Sequence, residues 1–362
     1  MTGMRIAVLG AGGFLGSHLV EALLQRPGGE IDAVDLGFQK LETRDPRVRH
    51  VCMRVGQRND IDPIVARSDV IFSLTALCNP ALYNTAPLDV IDGSYTDLVP
   101  VVQSCTKYRK RLIHFSTCEV YGRTALDREG RPMAEMSEDD TGFFLGPIDR
   151  ERWTYACAKQ LLERVIWAHG QHQGLAFTII RPFNVIGPRM DFLPGIDGEG
   201  VPRVLASFMN ALLRADDLLL VDGGVRRRSF TYVDEFVDGV VRALDRPEVS
   251  CRQVFNLGNP DNNVSMLELA EGLARAFAAR VPLAKPATFR SVPATEVYGP
   301  GYDDCPDRIP DIGKARRLLG WEPRTSLPEM LAPIIDDYVA RYGRAVWSGS
   351  SGGPERKAIG QT

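Results

Sequence analysis

The chain has 362 residues, 44% of them hydrophobic, with 43 Lys and Arg against 46 Asp and Glu for a net charge of −3 at pH 7. That composition suits one large or two interlocking globular domains and excludes a disordered or fibrous chain. The near-neutral balance leaves no electrostatic footprint for nucleic acid or an anionic membrane, so any anionic ligand must be held by a few placed cations.

In chain order, the apolar run at residues 5–9 is a strand, the Gly-rich turn after it leads into helical periodicity over 14–24, and a second strand ends at Asp35. Further strands are expected at 48–55 and 69–74, the latter followed by a polar, Pro-containing segment. Then come a strand at 111–116, a long helix over 155–169 and a strand at 176–181. Strands alternating with helices imply a parallel α/β sheet. After Pro182 a long Gly/Pro-punctuated stretch, PFNVIGPRMDFLPGIDGEGVPR, precedes a helix and the strand LLLVDGG, and a loop of that length is usually functional. A return strand at 228–233, a helix at 234–244 and a strand at 253–258 follow. The remainder reads as a helix from Val264, an irregular Pro-rich stretch to Pro310 and a helical region over 327–342. Residues 1–182, with returns from 229–261, form the expected dinucleotide-binding domain. Residues 183–228 and 262–345 form the substrate lobe, and the polar tail over 346–362 is expected to be disordered.

Seven cysteines, an odd number without a CxxC pair, read as neither a disulfide framework nor a zinc cage. The histidines show no metal-site spacing, so no metal is expected. The N-terminus lacks the form of a signal peptide, and no run approaches the roughly 20 apolar residues of a membrane span. A reducing cytoplasm is the expected compartment.

Gly10, Gly13 and Gly16 stand in GAGGFLG between the first strand and the first helix, where backbone amides can meet a pyrophosphate. Phe14 and Leu15 belong to the same turn. Asp35, ending strand two, can accept both ribose hydroxyls and repel a 2′-phosphate, which favours NAD over NADP. Gly56-Gln57 follows strand three, leaving adenine contact to Gln57, Asp60 or backbone. Tyr155 and Lys159 are spaced i, i+4 on one helix face, so the ammonium can lower the phenol pKa and make it a general base toward a substrate hydroxyl. Ser116, Thr117, Cys118 and Glu119 form a polar cluster at a strand's carboxyl end, beside the expected ligand crevice.

These motifs, together with LCNPALYNTAPLDVI, HFSTCEVYG, RWTYACAKQLLERVIWAHG, RPFNVIGPRMDF with PGIDGEGVPRV, and GYDDCPDRIPD, resemble the nucleotide-sugar branch of the extended short-chain dehydrogenases/reductases. Within it the chain is similar to the UDP-glucuronate-decarboxylating group that forms UDP-apiose and UDP-xylose. The resemblance implies a Rossmann-type doubly wound parallel sheet with a smaller C-terminal α/β lobe, NAD as cofactor, a UDP-sugar substrate and a homodimer. It implies Tyr155 as base, Lys159 as its tuning partner and Thr117 as the hydroxyl bridging substrate O4. Glu119 and Arg308 match the group's acidic residue and arginine. Tyr83 and Arg152 match positions that meet the glucuronate carboxylate, Asn184 and Arg228 match UDP-binding positions, and Cys78 and Cys118 match two thiols of the apiose-forming branch. Cys52, Cys105 and Cys157 are expected to be inert. Val185 stands where relatives usually carry Trp.

The implied reaction oxidises C4, loses carbon dioxide from the 4-keto sugar, and returns hydride either to a pentose or, after C2–C3 cleavage and reclosure, to a branched aldehyde. Alternatives are a decarboxylase that stops at UDP-xylose or the 4-keto pentose, a 4-epimerase, and an NAD-binding redox sensor without catalysis.

Overall fold

The computed structural model describes residues 3–349 except 124, 283 and 300–302. Seven strands form one parallel sheet: β1 (Arg5–Leu9), β2 (Glu30–Asp35), β3 (Val48–Cys52), β4 (Val70–Ser73), β5 (Arg111–Phe115), β6 (Phe177–Pro182) and, after four short strands, β11 (Gln253–Leu257). The short ones are β7 (Val185–Ile186), β8 (Leu218–Val221), β9 (Arg227–Ser229) and β10 (Thr231–Tyr232). The sheet order is β11-β6-β5-β4-β1-β2-β3. β4 is buried along its whole length, as an unbroken apolar strand must be when both faces are covered.

Helices cover both faces, α1 (Phe14–Leu24) and α7 (Val233–Asp245) on one and α2 (Arg58–Arg67), α4 (Val99–Lys107) and α5 (Thr154–Gln173) on the other, while α3 (Pro87–Ser94) packs on α5 and α6 (Val204–Arg214) on β8. One core packs Leu19, Phe115, Phe236 and Phe255, while the other packs Ile61, Val101, Leu162 and Phe177. β1 pairs with both β2 and β4, so successive crossovers leave β1 on opposite sides. The loops that follow β1 and β4 therefore diverge and open a crevice at the strands' carboxyl ends.

The polar segment after β4 is largely helical. Pro87 and Pro100 lie in the first turns of α3 and α4, where the missing N–H is no loss, so proline there starts a helix instead of breaking one. The stretch read as one return strand over 228–233 is two strands outside the main sheet: β9 pairs with β12 (Asn263–Ser265) and β10 with β7. The chain changes partners at Phe230, whose N–H donates to Asn262 O at 3.1 Å. The Pro-rich stretch before Pro310 contains β13 (Phe289–Val292), which runs parallel to β8. Helices Met266–Arg280 and Leu327–Tyr338 each begin with a Ser/Glu capping box. The last described helix, Arg344–Gly349, is seated by Trp347 Nε1 donating to Leu213 O at 3.0 Å, so residues 346–349 of the expected tail are helical, and the rest of it, 350–362, lies outside the described residues. Among the described residues, no helix is long and apolar enough to cross a membrane.

Candidate active site

The turn after β1 is a backbone cradle. Gly10 takes φ +91°, and its N–H donates to Val34 O at 2.8 Å, bending the chain from β1 toward α1. α1 starts at Phe14 with Gly13 as an N-cap that supplies no side-chain acceptor, leaving first-turn amides available to an anion. A Cβ on Gly16 would stand 2.0 Å from Gly10 O, so glycine there lets α1 pack onto the turn. Asp35 Oδ2 accepts from Gly12 N at 2.9 Å and Oδ1 from Leu36 N at 2.7 Å, which fixes the carboxylate against the turn with acceptor capacity left for ribose hydroxyls. The cradle therefore fits a dinucleotide with free 2′- and 3′-hydroxyls.

Gly12 escaped the sequence reading because its constraint comes from another loop: a Cβ there would lie 1.7 Å from Gly37 O. Gly12→Ala is expected to lower stability by about 1–3 kcal/mol and weaken dinucleotide binding. Thermal unfolding with and without NAD+ checks both effects.

A cavity of about 470 Å³ runs from this turn to Arg228, Tyr298 and Arg308. Of the residues singled out from the sequence for catalysis or binding, all but Asp35, Gln57 and Asp60 line it. A short stretch delivers three of them: Arg152 lies in the turn Glu151–Trp153, which runs directly into α5 and presents Tyr155 and then, one turn on, Lys159. Tyr155 is buried and stacks on Tyr83, with ring centroids 5.3 Å apart and planes at 14°. Burial, then the thiol of Cys78 and the carboxylate of Glu119, push its phenol well above the usual tyrosine range, while a hydrogen bond from Thr117 pulls the other way. Lys159 Nζ donates to Phe115 O at 2.9 Å, and burial pushes its ammonium down to about 8.

Beyond the phenol, five charged groups meet. Arg152 holds Glu119 with both ends of its guanidinium, at 2.5 and 3.0 Å, and reaches Asp304 Oδ1 at 3.3 Å. Arg308 Nη1 lies 3.4 Å from Glu119 Oε1, and Arg228 Nη2 lies 2.5 Å from Asp304 Oδ2. Three guanidiniums thus surround two carboxylates, leaving an excess positive charge to meet an anion. Burial alone would raise both carboxyls, but the arginines override it. Arg152 and Arg308 hold Glu119 low, and Arg228, Arg152 and Arg308 hold Asp304 far below the ordinary range. Arg308 is 2% exposed, and its Nε and Nη2 find no hydrogen-bond acceptor among the described residues. Asn184, at φ 37°, turns the chain at the cavity wall and donates to Ser229 O at 3.2 Å.

The two expected thiols differ. Cys78 is exposed on the cavity wall, while Cys118 is buried, with its thiol pushed up first by burial. Asp304 was not singled out from the sequence, although it sits i, i+4 from Arg308 in the string that carries the resemblance. Lys40, also unpredicted, lines the cavity, and burial pushes its ammonium down to about 8.

The chain is 42% identical over 369 residues to UDP-D-apiose/UDP-D-xylose synthase 1 of Arabidopsis thaliana, covering 96% of this chain and 94% of that one. It is 43% identical over 364 residues to UDP-D-apiose/UDP-D-xylose synthase of Oryza sativa subsp. japonica, covering 95% and 91%. The crystal structure of the PbgP3 protein from Burkholderia pseudomallei is similar with a TM-score of 0.82 at 31% identity, over 95% of this chain and 99% of that one. The family model described as NAD dependent epimerase/dehydratase family matches residues 6–258, well over half of the sequence, and the chain belongs to that family.

Proposed function

We propose that the protein converts UDP-glucuronate to UDP-apiose and UDP-xylose through a 4-keto intermediate. The observation that carries this reading is Arg308, a buried guanidinium lining the cavity with unmatched donors, joined through Glu119 to Arg152. The carboxylate of a uronate supplies acceptors that a neutral hexose lacks. The names of the Arabidopsis and rice relatives carry the same two products.

Gly10, Gly13, Gly16 and Asp35 would hold NAD, which when bound supplies a hydride acceptor and later a hydride donor. Tyr155 takes the proton of the 4-hydroxyl, with Thr117 bridging the same oxygen and Lys159 offsetting the phenolate's charge. In the 4-keto sugar the carboxylate stands β to the ketone and leaves as carbon dioxide, its electron pair passing into the enolate. Arg308, Tyr155 and Thr117 stabilise that developing charge. Ring contraction needs further proton transfers near C2 and C3, which fall to Cys78, Cys118 and Glu119. Arg228 and Asn184 hold the UDP moiety, and Tyr83 and Arg152 hold the uronate. In this reading residues 1–182 with 229–261 serve the cofactor, and 183–228 with 262–345 serve the nucleotide of the substrate.

Incubation with UDP-glucuronate and NAD+ is expected to release carbon dioxide and give both pentose nucleotides by NMR, with little net NADH absorbance. If no sugar nucleotide is consumed, the reading is wrong.

Two further parts of the reading concern assembly and compartment. The chain forms a homodimer through the face that carries Leu88 of α3 and Leu161 of α5, which are 75% and 48% exposed. Light scattering at a monomer mass would overturn that. All seven cysteines are unbridged, which suits a cytoplasmic protein.

A further inference from the structure

Beneath the carboxylate cluster lies a second polar network that touches neither the cavity nor any reacting atom. Glu163 follows Tyr155 and Lys159 on the same face of α5 and accepts from Arg181 of β6 at 2.9 and 2.6 Å. Arg181 Nη1 donates to Tyr121 OH at 2.8 Å, and that hydroxyl donates to Asn256 Oδ1 of β11 at 2.8 Å. Asn256 Nδ2 then donates to Met136 O at 2.8 Å and Asp311 O at 3.2 Å. Met136 N donates to Ile309 O at 2.7 Å, next to Arg308. Tyr121 ends the turn Cys118–Tyr121, which carries Glu119. Arg181, Tyr121 and Asn256 are all at most 3% exposed.

The donors run one way, from Arg181 through the tyrosine hydroxyl and the asparagine amide to backbone carbonyls, so the chain admits a single arrangement. Its stretch from Tyr121 through Asn256 to Asp311 O links the two segments that must be set against each other for Glu119 and Arg308 to meet at 3.4 Å. A buried Arg–Glu pair is a poor source of net stability, since apolar packing of equal volume often does as well. Stability alone therefore gives no reason for this one.

We infer that Arg181, Tyr121 and Asn256 are positioning residues that fix the Glu119 turn against the Arg308 segment and thereby set the preference for a uronate over a neutral hexose. The inference rests on the uronate reading above.

The test is made in a Tyr155→Phe background with NAD+ present, so that ligand is bound and not consumed. Tyr121→Phe removes one hydroxyl and leaves the Arg181–Glu163 pair intact. Asn256→Ala cuts the chain on the other side of that hydroxyl. Calorimetry is expected to show affinity for UDP-glucuronate falling about ten-fold in either variant, with UDP-glucose and UDP changed less than about two-fold. Equal losses for all three ligands, or no loss, overturn the inference. So does failure of both variants to fold, because the network is then structural. Should only one variant fold, that one decides. A parent protein that does not prefer UDP-glucuronate over UDP-glucose defeats the uronate reading itself, whereas a parent that does, with variants that keep the preference, defeats only the positioning role.

Discussion

Replacing Tyr155 with Phe is expected to lower kcat on UDP-glucuronate by about 100- to 10,000-fold while leaving equilibrium binding of NAD+ and UDP-glucuronate within a few-fold of the parent. Phe keeps the ring that stacks on Tyr83 and loses only the hydroxyl, so a collapse of binding together with kcat would point to packing and not to proton transfer. The pH profile separates the partners. Lys159 must be charged to offset a phenolate, and burial has brought its ammonium down to about 8. Lys gives up its charge as pH rises, so kcat should fall on the alkaline side near pH 8. A profile flat from pH 7 to 10 would remove Lys159 from the mechanism.

Asp304→Asn is expected to cost about 3–5 kcal/mol of stability at pH 7, because it takes from the buried guanidiniums of Arg152 and Arg308 one of the two carboxylates they share, and from the largely buried Arg228 the carboxylate it meets at 2.5 Å. The pH dependence has a definite sign. The carboxyl is held far below its unfolded value by Arg228, Arg152 and Arg308. Its contribution is therefore fully present above the unfolded carboxyl range and is lost as pH falls through the folded one. The parent and the variant should thus converge in stability in strong acid. Added UDP is expected to restore part of the loss, since a diphosphate can take the place of Asp304 opposite Arg228. Thermal unfolding across pH, with and without UDP, measures all three effects. An unchanged melting temperature at pH 7 would mean that the cluster is already hydrated and that the ion pairs contribute little.

Local spacing was legible and long-range convergence was not. The Tyr155–Lys159 spacing, the glycine turn and the acidic residue ending β2 are set by neighbours in sequence, and all stand at the carboxyl end of the sheet. The parallel sheet followed from alternating strands and helices, and its doubly wound order from the family resemblance. Asp304 could not be picked out in the same way, because its significance comes from arginines at positions 152, 228 and 308 arriving from three separate segments. Gly12 is constrained by Gly37, and Phe230 divides two strands because each has a different partner. α3 and α4 were hidden by prolines that mark a helix start as readily as a break.

The segment carrying Arg308 gives the site an order of completion. Each strand of the main sheet, the glycine turn and the Tyr155–Lys159 pair precede residue 258, whereas Arg308 and Asp304 come later in the chain. During synthesis the dinucleotide crevice can therefore be finished while the charged cluster around Glu119 still lacks Arg308 and Asp304. A nascent chain could take up cofactor before the cluster that meets the substrate's acid is complete.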